Sequence, residues 1–155
     1  MEDIKSKKWI GLLKETIHNV WCQLGSSLTE NFYTRAIAAE LKDFDCVCHT
    51  EDPIPVPFIS GKTNRVQYIG TCYADINVLT PDTIRILIEI KHSQPHETNI
   101  KQAKQQILKY NQLLGLNMRE RASHLVVIFF PKQNKDSPMI IVYDHDGTKL
   151  EKLHF

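Results

Sequence analysis

Asp75, Glu89 and Lys91 are the residues of this chain whose types and spacing can do chemistry together. Tyr73-Ala-Asp75-Ile-Asn-Val78 and Ile84-Arg-Ile-Leu-Ile-Glu89-Ile-Lys91 both read as strands, joined by the turn Thr80-Pro-Asp-Thr83. Side chains alternate along a strand, so Glu89 and Lys91 share one face while Ile88 and Ile90 share the other. If the strands pair through that turn, Asp75 lies beside Glu89. Two carboxylates a few ångströms apart repel unless a cation sits between them, and hard oxygen ligands suit Mg²⁺ or Mn²⁺. Such an ion binds a phosphate oxygen and lowers the pKa of an attacking water, while Lys91 orients that water or neutralises developing charge. A solvent-facing ion pair is the competing explanation of Glu-x-Lys taken alone.

The elements that must hold these groups are readable on either side. Apolar residues at Ile10, Leu13, Ile17, Val20, Trp21 and Leu24 have helical spacing and stop at Gly25. Ser27-Leu-Thr-Glu30 has the form of a capping box opening a second helix to about Lys42, with Phe32, Tyr33, Ala36, Ile37, Ala39 and Leu41 as its buried stripe. Cys46 to Cys48 and Ile54 to Phe58 are short runs broken by prolines, as in an edge strand. Strands are predicted over 66–79, interrupted near Gly70, and 84–91. A third helix spans about 98–114 and stops at Gly115, followed by strands at 125–130, 139–143 and 149–155.

Two helical residues are placed to join the site. Glu30 projects near Ile37 and Leu41 on the buried side, so it can face the sheet as well as cap its helix; Glu40 is the second choice for that role. Gln106 shares a helix face with Ala103, Tyr110 and Leu113, and a buried amide there needs polar partners. Tyr33 reads as core. Lys101, Lys104 and Lys109 are a weak phosphate-tracking rim, His92 and His96 read as loop bystanders, and Cys46 and Cys48 read as small buried hydrophobes rather than zinc ligands.

The order of helix, strands, Asp75, Glu89-x-Lys91 and helix resembles the PD-(D/E)XK nuclease superfamily. Gly25-Ser-Ser-Leu-Thr-Glu30-Asn-Phe-Tyr33, with Ala36 and Glu40-Leu41, resembles more specifically the GxxExxY family, with Ser27 replacing a second glycine. Glu51-Asp-Pro-Ile-Pro-Val-Pro-Phe58 is similar to that family's E-x-x-hydrophobic-P strand, Tyr73-Ala-Asp75 to its R-A-D, and Ile88-Glu89-Ile-Lys91 to its V-E-L-K. Gln106-Ile-Leu-Lys-Tyr110 is similar to its Q-L-L-x-Y helix, and Tyr73 departs from the usual arginine. The resemblance implies a restriction-endonuclease-like α/β (α+β) core, a mixed central sheet flanked by helices, with an extra amino-terminal helix. It implies phosphodiester hydrolysis in nucleic acid, with DNA the favoured substrate. Asp75 and Glu89 would hold Mg²⁺ or Mn²⁺ with Glu30 and the Ile90 carbonyl, while Lys91 positions water and Gln106 supports it. A nuclease fold without turnover is the rival, and the stretch from Gly25 to Glu30 also resembles Holliday junction resolvases.

Composition bounds the rest. The 155 residues are 42% apolar and 24% charged, with 19 basic against 18 acidic side chains, so one globular domain over 1–155 is expected and general polyanion binding by bulk charge is not. Four cysteines do not make a disulfide framework. No stretch is long and apolar enough to cross a bilayer, and the amino end lacks the features of a leader, so the chain reads as intracellular. Cutting both strands of a duplex needs two such sites, and the first helix offers an apolar face, so homodimerisation stays open.

Overall fold

The computed structural model describes residues 4–155; residues 1–3, the start of the segment weighed as a leader, lie outside it. The order is α1 (Ile4–Leu24), α2 (Glu30–Asp43), β1 (Val47–Ile59), β2 (Val66–Leu79), β3 (Arg85–Lys91), α3 (Glu97–Leu116), β4 (His124–Phe129), β5 (Met139–Asp144) and β6 (Lys149–His154). The strands form one six-stranded sheet in sequence order, with every neighbouring pair antiparallel except β3 and β4. A parallel pair needs a crossover, and α3 supplies it. This is the mixed, helix-flanked α+β core expected, extra first helix included.

Two cores cover the sheet. Trp9, Leu13, Ile17 and Val20 of α1, with Tyr33, Ile37 and Leu41 of α2, pack on Ile76, Ile86, Ile88, Ile90, Val126 and Ile128. On the other face Ala103, Ile107, Leu113 and Leu114 of α3 pack on Leu87, Leu125, Val127, Phe129 and Ile141. β3 and β4 are therefore buried on both sides, which their unbroken apolar runs require. No helix of the described residues is long and apolar enough to cross a membrane.

Three local expectations are corrected. The capping box does not form: Thr29 is the N-cap, without a side-chain capping bond, and Glu30 is the first helical residue. Gly115 lies inside α3, which ends at Leu116 with Asn117 as its C-cap and Met118 at positive φ. The two proline-broken runs are one continuous strand, β1, because their prolines do not interrupt its ladder to β2. The reason lies in which way the proline residues point. Asn117 Nδ2 donates to the Pro55 carbonyl at 2.8 Å and Arg119 Nη1 to the Pro53 carbonyl at 3.0 Å, so both carbonyls face the outer edge. A strand residue's N and C=O emerge on the same edge, and the missing N–H groups therefore fall where no ladder needs them.

The β1–β2 pair also turns as it leaves the sheet. Ile76 and Val78 belong to the α1–α2 core, whereas Ala74 and Cys72, of the same parity, belong with Ile54 to the α3 side. The faces exchange at the Glu51–Asp75 step, bracketed by the pairs Thr50–Ile76 and Asp52–Ala74, and Glu51 has φ +49 there. Left-handed backbone in a residue with a Cβ costs about 1–2 kcal/mol. Below the step, the buried Asp52–Asn77 pair, flanked by half-buried Arg119 and Arg85, anchors the two strands on the α3 side.

Replacing Ile128, which is wholly buried between α1–α2 and the sheet, by Ala should cost roughly 2–5 kcal/mol in urea unfolding. A loss under about 1 kcal/mol would mean that this layer is not packed as described.

Candidate active site

The β2–β3 ladder ends at Ile76–Ile88, one step before Asp75 would face Glu89. Beyond it the strands part, and the Ile90 N–H donates instead to Asp75 Oδ2 at 2.7 Å. Phe130 N–H bonds the Lys91 carbonyl on the β4 side, so the adjacent Ile90 carbonyl leaves β3 on the side of Asp75. The alternation holds as expected: Ile88 and Ile90 enter the α1–α2 core, while Glu89 and Lys91 turn toward α3.

Lys91 is fixed from two directions. Its Nζ donates to Gln106 Oε1 at 2.8 Å and lies 3.4 Å from Glu89 Oε1. Gln106 Nε2 in turn donates to Tyr110 Oη at 2.6 Å, so one turn of α3 orients the ammonium through an amide. The half-buried amide thus has polar partners on both its oxygen and its nitrogen.

Glu89 is 4% exposed, and its Oε2 has no hydrogen-bond partner as a carboxylate. Burial first, and then the Asp75 charge, push its pKa up to about 8, although Lys91 pulls the other way. Asp75 is also raised, mainly by burial, against the lowering effect of the Ile90 N–H. The two carboxyls are within hydrogen-bonding reach, so burial and mutual repulsion favour a proton on Glu89 where no cation offsets them. Among the described residues no three His, Cys, Asp or Glu side chains form a ready metal cluster. Yet an orphaned buried carboxylate oxygen, a second carboxylate and a backbone carbonyl on the same side form a hard oxygen set, which suits Mg²⁺ or Mn²⁺.

Glu30 comes to the site by another route than capping. Its Oε1 accepts the His92 N–H at 2.9 Å, which pins the start of α2 to the residue after Lys91. Tyr33 is core, stacked on Phe130 at 4.2 Å between ring centres. Glu40 accepts Asn19 Nδ2 at 3.2 Å, between α2 and α1, and is not part of the site. Lys104 lies over the Tyr143 ring rather than on a rim with Lys91. Burial raises both Cys46 and Cys48, the latter to about 11, as befits thiols used as hydrophobes.

A cleft of ≈ 520 Å³ opens on Asp75, lined also by Glu30, Thr34, Glu51, His92 and Lys132, with Glu89 buried behind it. A smaller one of ≈ 240 Å³ opens on Lys91 and Gln106. Glu51, His92 and Lys132 were not among the site residues expected from sequence. Glu51 carried a signal in its Glu-x-x-Ile-Pro segment, but its aim depends on the positive φ at the step where the faces exchange. His92, read as a bystander, has a buried Nε2 without a partner. Lys132 has no distinguishing pattern and reaches the cleft from the loop after β4.

Fold and site together describe a mixed α+β core with paired acids and a lysine at the point where two strands part. The family model described as the PD-(D/E)XK nuclease superfamily matches residues 7–134, and the chain belongs to that superfamily. Among solved structures it is similar to the one described as "Crystal structure of SSO0001", at 16% identity and a TM-score of 0.44, over 96% of this chain and 82% of that one. No curated protein matches.

The proton held by Glu89 has a measurable sign. Between the ordinary value of 4.5 and about 8 the folded chain binds more protons here than the unfolded one, so this group's contribution to stability falls as pH rises through that window. In metal-free protein Tm should decline from pH 5 to 8, and Glu89→Gln should flatten the decline and raise Tm at pH 8. Equal pH dependence in both proteins would contradict the proton on Glu89.

Proposed function

We propose that this protein is a nuclease dependent on Mg²⁺ or Mn²⁺, hydrolysing phosphodiester bonds in nucleic acid, with DNA the favoured substrate. The observation that carries the reading is the Asp75–Glu89 pair beside an oriented Lys91, where β2 and β3 part. Asp75, Glu89 and the Ile90 carbonyl would hold the ion, with Glu30 adding negative charge from the far wall of the cleft. Once bound, the ion supplies Lewis acidity toward a phosphate oxygen and makes water a stronger nucleophile.

The remaining steps belong to side chains of this chain. The Lys91 ammonium, held by Gln106 and free to use its other N–H bonds, orients the attacking water and offsets charge gathering on the phosphate. Gln106 is a positioning residue, kept in one orientation by Tyr110. His92 lines the cleft wall, and its unpartnered Nε2 would donate a hydrogen bond to a phosphate oxygen or to the leaving oxygen. Within the superfamily we read the chain as nearest to the GxxExxY group, on the Gly25–Tyr33, Glu51–Phe58 and Gln106–Tyr110 segments.

Labelled single-stranded, duplex and branched DNA and RNA, incubated with Mn²⁺ or with EDTA, test this. Cleavage should need the metal and fall by about 10²–10³-fold or more in Lys91→Ala. Gln106→Ala should lower kcat less and leave KM nearly unchanged. Cutting that survives Lys91→Ala would remove the assignment, and silence on every substrate by protein that also binds no Mn²⁺ would favour a fold kept without turnover.

A further inference from the structure

Past the Glu51–Asp75 step, β1 and β2 continue as a two-stranded ribbon that leaves the body of the fold. Every residue from Gly61 to Thr71 is exposed, although Val66–Gly70 and Thr71 belong to a strand laddered onto Pro55–Ile59. A ribbon in water on both faces would be expected to carry polar side chains. Instead Phe58, Ile59, Val66, Tyr68, Ile69 and Tyr73 are each more than half exposed.

Register sorts them by face. Pro53 faces Tyr73, Pro55 faces Thr71, Pro57 faces Tyr68 and Ile59 faces Val66, with the register shift between Val56 and Pro57 leaving Ile69 without an opposite residue. Because side chains alternate, this proline–tyrosine set lies on one face, while Ile54, Val56 and Cys72 turn the other way into the α3-side core. One row nearer the sheet stand Glu51 and Asp75, both at the wall of the acidic cleft. The tyrosine face therefore begins where the cleft ends.

Charge and edge chemistry say what this face takes. From Pro53 to Ala74 the chain has Lys62 and Arg65 and no acidic residue, so the ribbon is a local cationic stretch in a nearly balanced protein. Its outer edge is a poor template for strand addition, since prolines remove donors there and Asn117 and Arg119 already occupy the Pro55 and Pro53 carbonyls. What remains is a face of aromatic rings beside two cations, the combination that holds an unpaired nucleic-acid strand by base stacking and phosphate contact.

We propose that the proline–tyrosine face is a track for an unpaired nucleic-acid strand, with Tyr73 and Tyr68 as stacking platforms and Lys62 and Arg65 as phosphate contacts. It rests on the nuclease reading for its substrate class and adds the single-stranded character of what enters the cleft. At about 3.3 Å per residue, Tyr73 stands about 7 Å and Tyr68 about 20 Å along the ribbon from Asp75. A strand lying on both tyrosines would point its end into the acids.

The test is binding, read without turnover: fluorescence anisotropy of short labelled oligonucleotides, single-stranded and duplex, in EDTA. The whole protein should prefer the single strand. Tyr68→Ser with Tyr73→Ser should weaken that binding at least tenfold, and Tyr68→Phe with Tyr73→Phe should restore it, while far-UV circular dichroism stays unchanged in both. Lys62→Ala with Arg65→Ala should lower the slope of log Kd against log salt by roughly 0.7 for each cation removed. Binding that ignores the serine changes overturns the track, as does a wild-type protein that binds no single strand. A dimer in sedimentation that the serine changes dissolve, with oligonucleotide binding intact, assigns the face to a second copy and also overturns it. Tyrosine-dependent binding by a protein that never cuts would reject the nuclease reading and leave the track standing.

Discussion

Asp75 and Glu89 cannot both be ionised, buried and adjacent unless positive charge is brought between them, and much of the surrounding structure follows from that constraint. Lys91 lies close to Glu89 and supplies part of the charge, yet Glu89 remains well above the ordinary carboxylate range. A proton on Glu89 would meet the remainder in the metal-free chain, and a divalent ion would meet it in the proposed working one. Such a pair is costly to hold. It persists because β3 has little freedom to move: Ile86, Leu87, Ile88 and Ile90 are locked into two cores, so Glu89 sits where the strand puts it.

The parting of β2 from β3 turns that cost into a site. Had the ladder continued one more step, backbone bonds would have used the groups that are now available. Instead Ile90 N–H goes to the Asp75 carboxylate and the Ile90 carbonyl stays on the same side. The start of α2 closes one wall through the Glu30–His92 bond, and the middle of α3 closes the other through Gln106 and Tyr110. The exchange of faces at Glu51 then carries β1 and β2 away as a ribbon, so one irregular step both shapes the cleft and aims the arm beside it.

The parts of this arrangement legible in the sequence are those set by period and by long apolar runs. Leu125 to Phe130 read as a strand buried on both faces, and alternation alone separated Glu89 and Lys91 from Ile88 and Ile90. Gln106 and Tyr110 were legible as one face of a helix. What was not legible depends on contacts distant in sequence or on unusual backbone. Glu30 was legible as a group that could face the sheet as well as cap its helix, but its actual partner, the His92 N–H 62 residues away, was not. The prolines of β1 looked like breaks because nothing local tells which edge they face; Asn117 and Arg119, some 60 residues away, do. The positive φ of Glu51, on which its place in the cleft depends, has no compositional signature at all.

The central claim is that the Asp75–Glu89 pair is a cation site held closed by a proton. Calorimetric titration of Mn²⁺ near pH 7, in two buffers of different ionisation enthalpy, measures it directly on the wild-type and Asp75→Asn proteins. The account predicts uptake at a single site with release of a proton, and loss of that uptake in Asp75→Asn. No uptake by the wild-type protein, or equal uptake in the variant, would contradict it.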